Sequence, residues 1–558
     1  MVSWLWCGGL PARASLCPAY ACRRKSSYVG SEGGWLRIGK TRVRLSHPKR
    51  KELVPQNYAC NISHSQSWLS HMQWMAQKDA LGQDMFLVGP PGSLPRRLAF
   101  AYCELTRREM EYVSLSRDTT ETDLKQRREI VAGTVHYVNQ PAVESALEGR
   151  VLVLEGVEKA ERNVLPVLNN LLENREMQLD DGRLIVAPQR YDRLVEYDGE
   201  EMAREWNLLR ASERFRVIAI GAPVPPYRGN PLDPPLRSRF QARSIQPLNY
   251  QELSDLLSLQ YPDISHRNLS SLVQFVLTLR TVSTTLPGGP VDISQQLHHV
   301  LEILSDMPGI SVEELLLKIY PADLLGTMKT FRDTVEKFEV KETTNKIHIH
   351  SLVPRTSQGK IEVELHGTSP SKSNVFGDKS DGVSSLLVPC GPHPDGVTTN
   401  GQEQSLIEES DYVPTEVHED ILARMIQSHK TGDFCLVGGK GTGKETLVKR
   451  FASLLGYEVE TVVLYQDMTS RELLQQRSTL PNGDTTWRTS PLVNAAREGK
   501  LALLDGVHRL HPGTLSVLKR LLQDRELSLM DGSRLLSHNH YKATKAFAGL
   551  SDEDMVQR

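Results

Sequence analysis

The sequence lacks the long apolar runs and paired cysteines that would place it in several common classes. No run of about 18 or more apolar residues occurs in the 558-residue chain, which argues against a transmembrane helix. The seven cysteines, at 7, 17, 22, 60, 103, 390 and 435, form no CxxC pair of the kind that binds zinc or exchanges thiols. We therefore expect a reducing compartment.

The chain also lacks an excess of charge of either sign. It has 66 lysines and arginines against 68 aspartates and glutamates, so its total charge predicts neither bulk nucleic-acid binding nor attraction to anionic lipid. Any partner has to be inferred from local motifs. The length exceeds what one hydrophobic core usually supports, and two or more domains are expected.

Acidic residues are scarce at the start of the chain. Glu32 is the only acid before Glu52, whereas arginines, lysines and serines are frequent between Arg13 and Arg44. This composition is typical of a mitochondrial targeting segment, so we expect residues 1–50 to be a disordered targeting segment and the protein to be mitochondrial. The alternatives are a secretory signal, suggested by the apolar start MVSWLWCGGL, and a disordered basic tail.

One long module occurs twice. Residues 149–185 align with 499–536, and SRDTTETDLKQRREI at 116–130 aligns with YQDMTSRELLQQRSTL at 465–480. In each copy an apolar run, DMFLVG or DFCLVG, precedes a glycine-rich turn, and a second run, VLVLEG or LALLDG, follows about sixty residues later. Buried strands that alternate with helices predict an α/β fold with a parallel sheet flanked by helices. ENREMQLDDGRLI and DRELSLMDGSRLL each predict a β-hairpin insert around Asp-Gly.

Composition divides the chain further. We predict a first α/β module at 51–246, a small helical lid subdomain at 247–335, a linker with a small β element at 336–412 and a second module at 413–558. Compared with the first copy, the second lacks the closing strand and the helical subdomain, so the second module is expected to be truncated. A product that folds poorly is one interpretation of that truncation.

The glycine-rich turn of the second copy has the pattern of a phosphate-binding loop. Gly438 and Gly443 have four residues between them and precede Lys444, directly after an apolar strand. In such loops backbone N–H groups surround the phosphates and the lysine neutralises their charge. The expected ATP-binding residues are Gly438, Gly439, Lys440, Gly441, Thr442, Gly443, Lys444, Glu445 and Thr446. A chance glycine-rich turn is the alternative.

The residues that would support ATP hydrolysis are only partly present. Asp505, at the end of LALLD, has the position and chemistry of the carboxylate that holds Mg²⁺; a buried Asp that caps a turn is the alternative. Glu445 replaces the Ser or Thr hydroxyl for the metal, and Thr446 would point about 100° away on a helix. Gly506 stands where many ATPases carry the glutamate that positions water. The sequence therefore supports ATP binding more strongly than turnover.

The corresponding turn of the first copy is more degenerate. Leu94 and Pro95 replace the second glycine and the lysine, and Pro95 removes a backbone donor. Arg96 or Arg97 would have to stand in for the lysine. The candidate nucleotide-binding residues that remain are Gly89, Pro90, Pro91 and Gly92. A structural remnant without ligand is the alternative.

Two arginines follow the proline-rich turn in GNPLDPPLRSRFQ. Arg237 and Arg239 have two interpretations at this stage. They either reach the γ-phosphate bound by a neighbouring subunit, or they form surface or interdomain salt bridges.

Together these motifs resemble the AAA+ ATPases, specifically the MoxR, midasin and dynein branch. The resemblance rests on GxxxxGK with a following hhhhD, on the Asp-Gly hairpins and on PLRSRF, and it is strongest over residues 52–246 and 413–545. It implies tandem AAA+ P-loop modules that bind ATP and Mg²⁺, with ATPase activity. It also implies homo-oligomers or assembly with other AAA+ modules, and no specific nucleic acid.

The resemblance carries roles onto individual residues. It implies catalytic roles for Lys444 and Asp505, with Asp505 as the metal ligand, and an arginine-finger role for Arg239. In relatives the loop position of Glu445 is a threonine, so this chain departs from the family at the metal. A non-catalytic nucleotide-binding scaffold, or a regulatory subunit of a larger assembly, is the alternative function.

Overall fold

The structure is a computed structural model, and it describes most of the chain. The described residues are 2–7, 29–32, 34–59, 65–225, 227–283, 294–306, 346–355, 360–368, 383–391, 412–551 and 555. Within these ranges, no helix combines the length and the apolar character that crossing a bilayer requires.

The N-terminal region contains strands where disorder was expected. Its elements are β1 (Val2–Cys7), β2 (Val29–Glu32), β3 (Trp35–Ile38), β4 (Thr41–Arg44) and α1 (Gln66–Ala80). β2, β3 and β4 form an antiparallel sheet whose apolar face, with Leu36, Ile38 and Val43, is buried against α1. Arg37 and Arg42 lie on its exposed face. The prediction of disorder up to residue 50 is therefore wrong for residues 2–7, 29–32 and 34–50. In β3 and β4 the reason is that apolar residues alternate with the basic ones.

The first module is built on a five-stranded parallel sheet. Its elements are β5 (Met85–Val88), α2 (Leu94–Thr106), β6 (Met110–Ser114), β7 (Gln126–Val131), β8 (Thr134–Asn139), α3 (Pro141–Glu148), β9 (Val151–Glu155), α4 (Leu168–Glu173), β10 (Met177–Gln178), β11 (Leu184–Val186), α5 (Pro188–Glu205), β12 (Leu208–Arg210), β13 (Arg216–Gly221), α6 (Pro234–Arg239) and β14 (Gln241–Ser244). The strand order is β14, β5, β13, β9, β6, and all neighbours are parallel. The predicted α/β fold is confirmed.

The sheet separates two hydrophobic cores. Alternate residues of β9 enter opposite cores, Val151 and Val153 on one face and Leu152 and Leu154 on the other. Every residue of β9 is buried, as is expected for a central parallel strand covered by helices on both faces.

Three helices and a small sheet follow the first module. They are α7 (Tyr250–Gln260), α8 (His266–Ser283), α9 (Ser294–Asp306), β15 (Lys346–Arg355), β16 (Lys360–Thr368) and β17 (Val383–Pro389). The helices share an apolar core, and the rest of the predicted lid lies outside the described residues. The strands form an antiparallel sheet in the order β15, β16, β17, so the predicted β element has a third strand that the sequence did not indicate.

The second module repeats the plan of the first with one exchanged strand. Its elements are α10 (Glu416–Thr431), β18 (Phe434–Val437), α11 (Lys444–Leu455), β19 (Val459–Val463), α12 (Ser470–Leu473), β20 (Gln475–Thr479), β21 (Thr485–Thr489), α13 (Pro491–Glu498), β22 (Leu501–Asp505), α14 (Pro512–Leu515), α15 (Lys519–Asp524), β23 (Leu527–Ser528), β24 (Arg534–Leu535) and α16 (His538–Ala548). The strand order is β18, β1, β22, β19. β1 is antiparallel to both neighbours, and it takes the position that β13 holds in the first sheet.

Each module carries two hairpins. The Asp-Gly segments form β10 with β11 and β23 with β24, as predicted. A second pair, β7 with β8 and β20 with β21, precedes α3 and α13. These two hairpins touch across the modules: the indole Nε1 of Trp487 donates to Glu129 at 3.2 Å, and the guanidinium of Arg127 lies 4.4 Å from the Trp487 ring centroid.

Candidate functional site

The glycine-rich turn of the second copy, residues 438–446, is called the second-copy loop. It connects β18 to α11, and its conformation needs glycine at two points. Gly441 has φ of +80° and Gly443 has φ of +74°, in the left-handed region that glycine enters without steric cost. Gly443 is the residue before the first turn of α11, so the loop ends at a helix N-terminus.

Lys444 is held inside this loop. Its Nζ donates to the carbonyl oxygens of Gly438 at 3.1 Å and Gly439 at 2.5 Å, and lies 3.3 Å from Thr442 Oγ1. The Thr442 hydroxyl donates in turn to Gly439 O at 3.1 Å. Because the first N–H groups of a helix have no partner within it, the start of α11 adds donors beside this ammonium. A lysine and N–H donors at one mouth are the groups that bind phosphate.

Glu445, in the first turn of α11, forms an ion pair with a neighbouring lysine. Its carboxylate pairs with Lys449 Nζ at 3.0 Å, one turn along α11, and both side chains are exposed. Such a surface pair stabilises the helix only slightly. It does, however, compensate the extra negative charge that Glu445 brings next to a phosphate site.

Asp505 lies at the same edge of the sheet as the second-copy loop. β1 pairs Val2 with Val437, the last residue of β18, and Ser3 with Asp505, the last residue of β22. The structure therefore brings Lys444 and Asp505 to one edge. Among the described residues, no group of three or more His, Cys, Asp or Glu is arranged to hold a metal ion.

Gly506 has a structural reason to be glycine. Its φ is +87°, and a Cβ placed on it would lie 3.1 Å from Leu464 O. The first copy repeats this turn, since Gly156 has φ of +88° and its added Cβ would lie 3.0 Å from Leu115 O. The turn after the strand-end carboxylate therefore leaves no unstrained place for a glutamate in either module.

Arg239 lies in the first module. Its Nη1 donates to Pro235 O and its Nη2 forms an ion pair with Glu173. These contacts tie the C-terminal end of α6 to α4. Neither of these contacts brings Arg239 close to Lys444 or Asp505.

The turn of the first copy, residues 89–95, is called the first-copy loop, and it is packed more tightly. A Cβ placed on Gly89 would lie 2.9 Å from Ile245 O. Pro95 sits in the first turn of α2, and the next residue, Arg96, has no exposed surface. Arg96 therefore points into the protein and does not replace the missing lysine at the surface.

Arg96 completes a buried ion-pair cluster with the strand-end carboxylate. Its Nη1 lies 3.1 and 3.0 Å from the two oxygens of Glu155, and its Nη2 lies 2.9 Å from Asp524 Oδ2. Lys519 Nζ lies 2.5 Å from Glu155 Oε1, and the Tyr112 hydroxyl donates to Glu155 Oε2 at 2.9 Å. Burial would raise the pKa of Glu155, but the charges of Arg96 and Lys519 outweigh it and lower the pKa to about 2.

A second cluster extends this contact between the modules. Arg520 lies with its guanidinium carbon 5.1 Å from the ring centroid of Phe100 and 4.5 Å from that of Tyr112, and it forms an ion pair with Glu526. His540 Nδ1 also contacts Glu526. Burial would raise the pKa of Glu526, but the charges of Arg520 and His540 lower it to about 2. The charged groups beside the first-copy loop, Arg96 and Glu155, are thus paired with protein side chains.

The sequence did not indicate these contacts of α15. They join positions 364 residues apart, as between Glu155 and Lys519. One signal was present in the aligned repeats: Lys519 and Arg520 stand where the first copy has Asn169 and Asn170. A charged residue that only one copy carries on the corresponding helix is expected where that helix contacts the other module.

A family model described as the AAA domain (dynein-related subfamily) matches both modules. The matched residues are 84–240 and 433–551, which include both loops and both strand-end carboxylates.

Two curated proteins illustrate the relatives. The chain is 49% identical over 532 residues to von Willebrand factor A domain-containing protein 8 of Mus musculus, which covers 94% of this chain and 27% of the mouse protein. It is 22% identical over 414 residues to midasin of Dictyostelium discoideum, which covers 70% of this chain and 6% of midasin. The chain therefore spans about a quarter or less of the length of these relatives.

Solved structures show a more distant likeness. The Holliday junction branch migration motor RuvB of Thermotoga maritima is 16% identical, with 51% of this chain and 73% of that chain covered, at a TM-score of 0.27.

Proposed function

Because both modules of the chain match the family model of the dynein-related AAA domain, we propose that the protein binds ATP in the second-copy loop. The observation that carries this proposal is Lys444, whose ammonium is held among the loop oxygens at the N-terminus of α11. Backbone N–H groups would bind the phosphates, and Lys444 would neutralise their charge.

Asp505 is the residue proposed to hold Mg²⁺ beside the loop. Its support is its position at the end of β22, on the same edge as Lys444. The ion, when bound with nucleotide, supplies positive charge against the phosphate oxygens.

We further propose that the protein hydrolyses ATP, and the family match supports this proposal. Binding without turnover, as a scaffold or regulatory subunit, is the second candidate, and two observations favour it. Glu445 stands at the hydroxyl position and pairs with Lys449. Gly506 sits in a left-handed turn that disfavours a water-positioning glutamate. Single-turnover phosphate release separates the two candidates, since a scaffold would retain ATP intact.

We also propose that the second-copy loop faces a further AAA+ module, in another copy of the chain or in a larger assembly. The support is the first module, where α15 of the next module forms ion pairs with Glu155 and Arg96 beside the corresponding loop. In such an assembly an arginine from the neighbour would contact the γ-phosphate, and Arg239 is the proposed residue, at the C-terminal end of α6.

A mitochondrial location is proposed from the composition of residues 1–50, which carry many arginines and serines and few acids. Imaging of the full chain with a C-terminal fluorescent protein tests it. Replacing Arg23, Arg24 and Lys25 by glutamate should abolish mitochondrial signal if these charges direct import. Retained mitochondrial signal in that variant would contradict the role given to them.

ATP binding is tested by Lys444→Ala. Removing a charge-assisted contact should weaken ATP binding by about 10- to 100-fold in a calorimetric titration. Lys440→Ala is the matched control, because Lys440 is an exposed lysine of the same loop whose loss should cost less. Equal losses for both variants, or ATP binding unaffected by Lys444→Ala, would contradict the proposed site.

A further inference from the structure

The sheet of the second module contains a strand from the opposite end of the sequence. β1 lies between β18 and β22, with Leu5 opposite both Phe434 and Leu503 and Cys7 opposite Leu501. In the first module the same position is filled by β13, which is parallel to β5 and β9. The position is therefore filled in both sheets, but from different parts of the chain and with opposite strand direction.

The two neighbours of β1 carry the proposed nucleotide site. β18 leads into the second-copy loop and β22 ends at Asp505. Neighbouring strands lie about 4.8 Å apart, so an inserted strand sets the separation of β18 and β22 at roughly 10 Å. Without it, the facing backbone N–H and C=O groups of both strands would have no partner in the sheet, at a cost for each buried group.

The composition of β1 suits a central position. VSWLWC contains one serine and no charged residue, whereas the sequence after it is rich in arginine and lysine. A short apolar run without polar alternation is typical of a strand that is covered on both faces. The apolar start that resembled a secretory signal has this second explanation.

We propose that residues 2–7 are an intramolecular strand donor, and that the space between β18 and β22 is an acceptor site for an extended apolar segment. The donated strand supports the second-copy loop and Asp505 at their working separation. This part of the proposal rests on the proposed ATP binding, whereas strand donation itself does not.

A cross-link tests strand donation while residues 2–7 remain in the chain. Trp4 lies opposite Cys435, and directly opposite residues of antiparallel strands have Cα atoms about 4.5–5.5 Å apart, within disulfide range. Burial raises the pKa of Cys435 to about 12, so oxidation of Trp4→Cys requires a copper–phenanthroline catalyst. We expect a disulfide between positions 4 and 435 by mass spectrometry. Leu5→Cys, which lies opposite Phe434, is the matched control and should not link to Cys435.

Hydrogen exchange gives the second measurement. Deleting residues 2–7 from the full chain should speed amide exchange in Phe434–Val437 and Leu501–Asp505 at least tenfold, while β9 and β13 of the first module stay unchanged. Deleting residues 11–16 removes the same number of residues and should leave β18 and β22 protected. Adding a peptide with the sequence VSWLWC to the 2–7 deletion should restore protection.

The outcomes separate this proposal from ATP binding. Unchanged exchange after deletion of residues 2–7, together with no disulfide from Trp4→Cys, overturns strand donation. If exchange is faster after the deletion but the unaltered chain binds no ATP, strand donation is supported and the nucleotide site is contradicted. Faster exchange with an unchanged ATP affinity contradicts only the statement that the strand supports the site.

Discussion

Glu445 is the side chain that most separates the proposed ATP binding from ATP turnover in the second-copy loop. We expect Glu445→Thr to increase Mg²⁺-dependent ATP binding and phosphate release, because a hydroxyl replaces a carboxylate beside the phosphates. Loss of the exposed pair with Lys449 should change the free energy of unfolding by less than about 1 kcal/mol. Titration with and without Mg²⁺ and a phosphate-release assay measure these effects.

The control for this substitution is Glu445→Ala. It removes the same negative charge and the same ion pair but supplies no hydroxyl. If the threonine and alanine variants gain equally, charge relief explains the effect and the hydroxyl has no role. If neither differs from the unaltered chain, Glu445 does not limit the site.

Gly506 is the second residue whose substitution should have a measurable effect. Gly506→Ala should lower the free energy of unfolding of the second module by roughly 1–2 kcal/mol, because φ of +87° disfavours a Cβ that would also lie 3.1 Å from Leu464 O. Gly483→Ala is the control, with φ of +89° and no atom within 4 Å of its added Cβ. Chemical denaturation should show the smaller loss for Gly483→Ala, and the reverse order would refute the importance of the Leu464 contact.

At the scale of elements, α15 fixes the second module onto the first through buried charges. We expect Arg96→Met to lower the apparent free energy of unfolding by roughly 3–5 kcal/mol, because Glu155 and Asp524 lose a buried cation. Combining it with Glu155→Leu should recover part of the loss, since a buried carboxylate that has lost one of its two cation partners is removed as well. Denaturant unfolding measures both variants.

Arg97→Met is the control for this prediction. Arg97 is the next residue of α2 and is only partly buried, near Trp68. A loss as large as that of Arg96→Met would show that the buried ion pairs are not what makes Arg96 important.

The elements of the fold differ in how far the sequence predicts them. The parallel sheets, the Asp-Gly hairpins and the second-copy loop follow from local patterns that both copies repeat. The hairpin of β20 and β21 was missed although Asn482-Gly483 is a turn signal, because its strands carry mostly polar residues. β1 could not be predicted from local pattern, since its partners lie more than 400 residues away.

The candidate sites also differ in how far the sequence predicts them. Lys444 and Asp505 can be proposed from the sequence because spacing and strand position single them out. The ion pairs of Glu155 and Arg96 beside the first-copy loop were not predicted, because Lys519 and Asp524 belong to the other module. Degeneracy of a loop can be read from sequence, but what replaces its ligand depends on tertiary contacts.

At the scale of the whole molecule, the junction between the modules is expected to depend on pH. The pKa of Glu155 and of Glu526 is about 2, below the ordinary 4.5, so their contribution to stability is present above about pH 4.5 and is lost as pH falls toward 2. Burial lowers the pKa of His540, but the charge of Glu526 outweighs it and raises the pKa above 6.5. The stabilisation that protonated His540 contributes is present below pH 6.5 and is lost as pH rises through the raised pKa.

Thermal unfolding across pH measures this dependence. We expect the junction to be most stable between about pH 4.5 and 6.5 and to weaken on both sides. His540→Gln should flatten the alkaline side and leave the acid side in place. An alkaline loss that persists in His540→Gln would assign it to another group.

β1 also has a consequence for the order of events during synthesis. About 500 residues separate it from β22, so at 5–20 residues per second the ribosome needs roughly 25–100 s to make its last partner strand. Residues 2–7 are thus made long before the strand that they pair with. During that interval the same hexapeptide is accessible to any machinery that binds apolar segments of a nascent chain. Translation speed therefore sets how long such binding can compete with the burial of this strand.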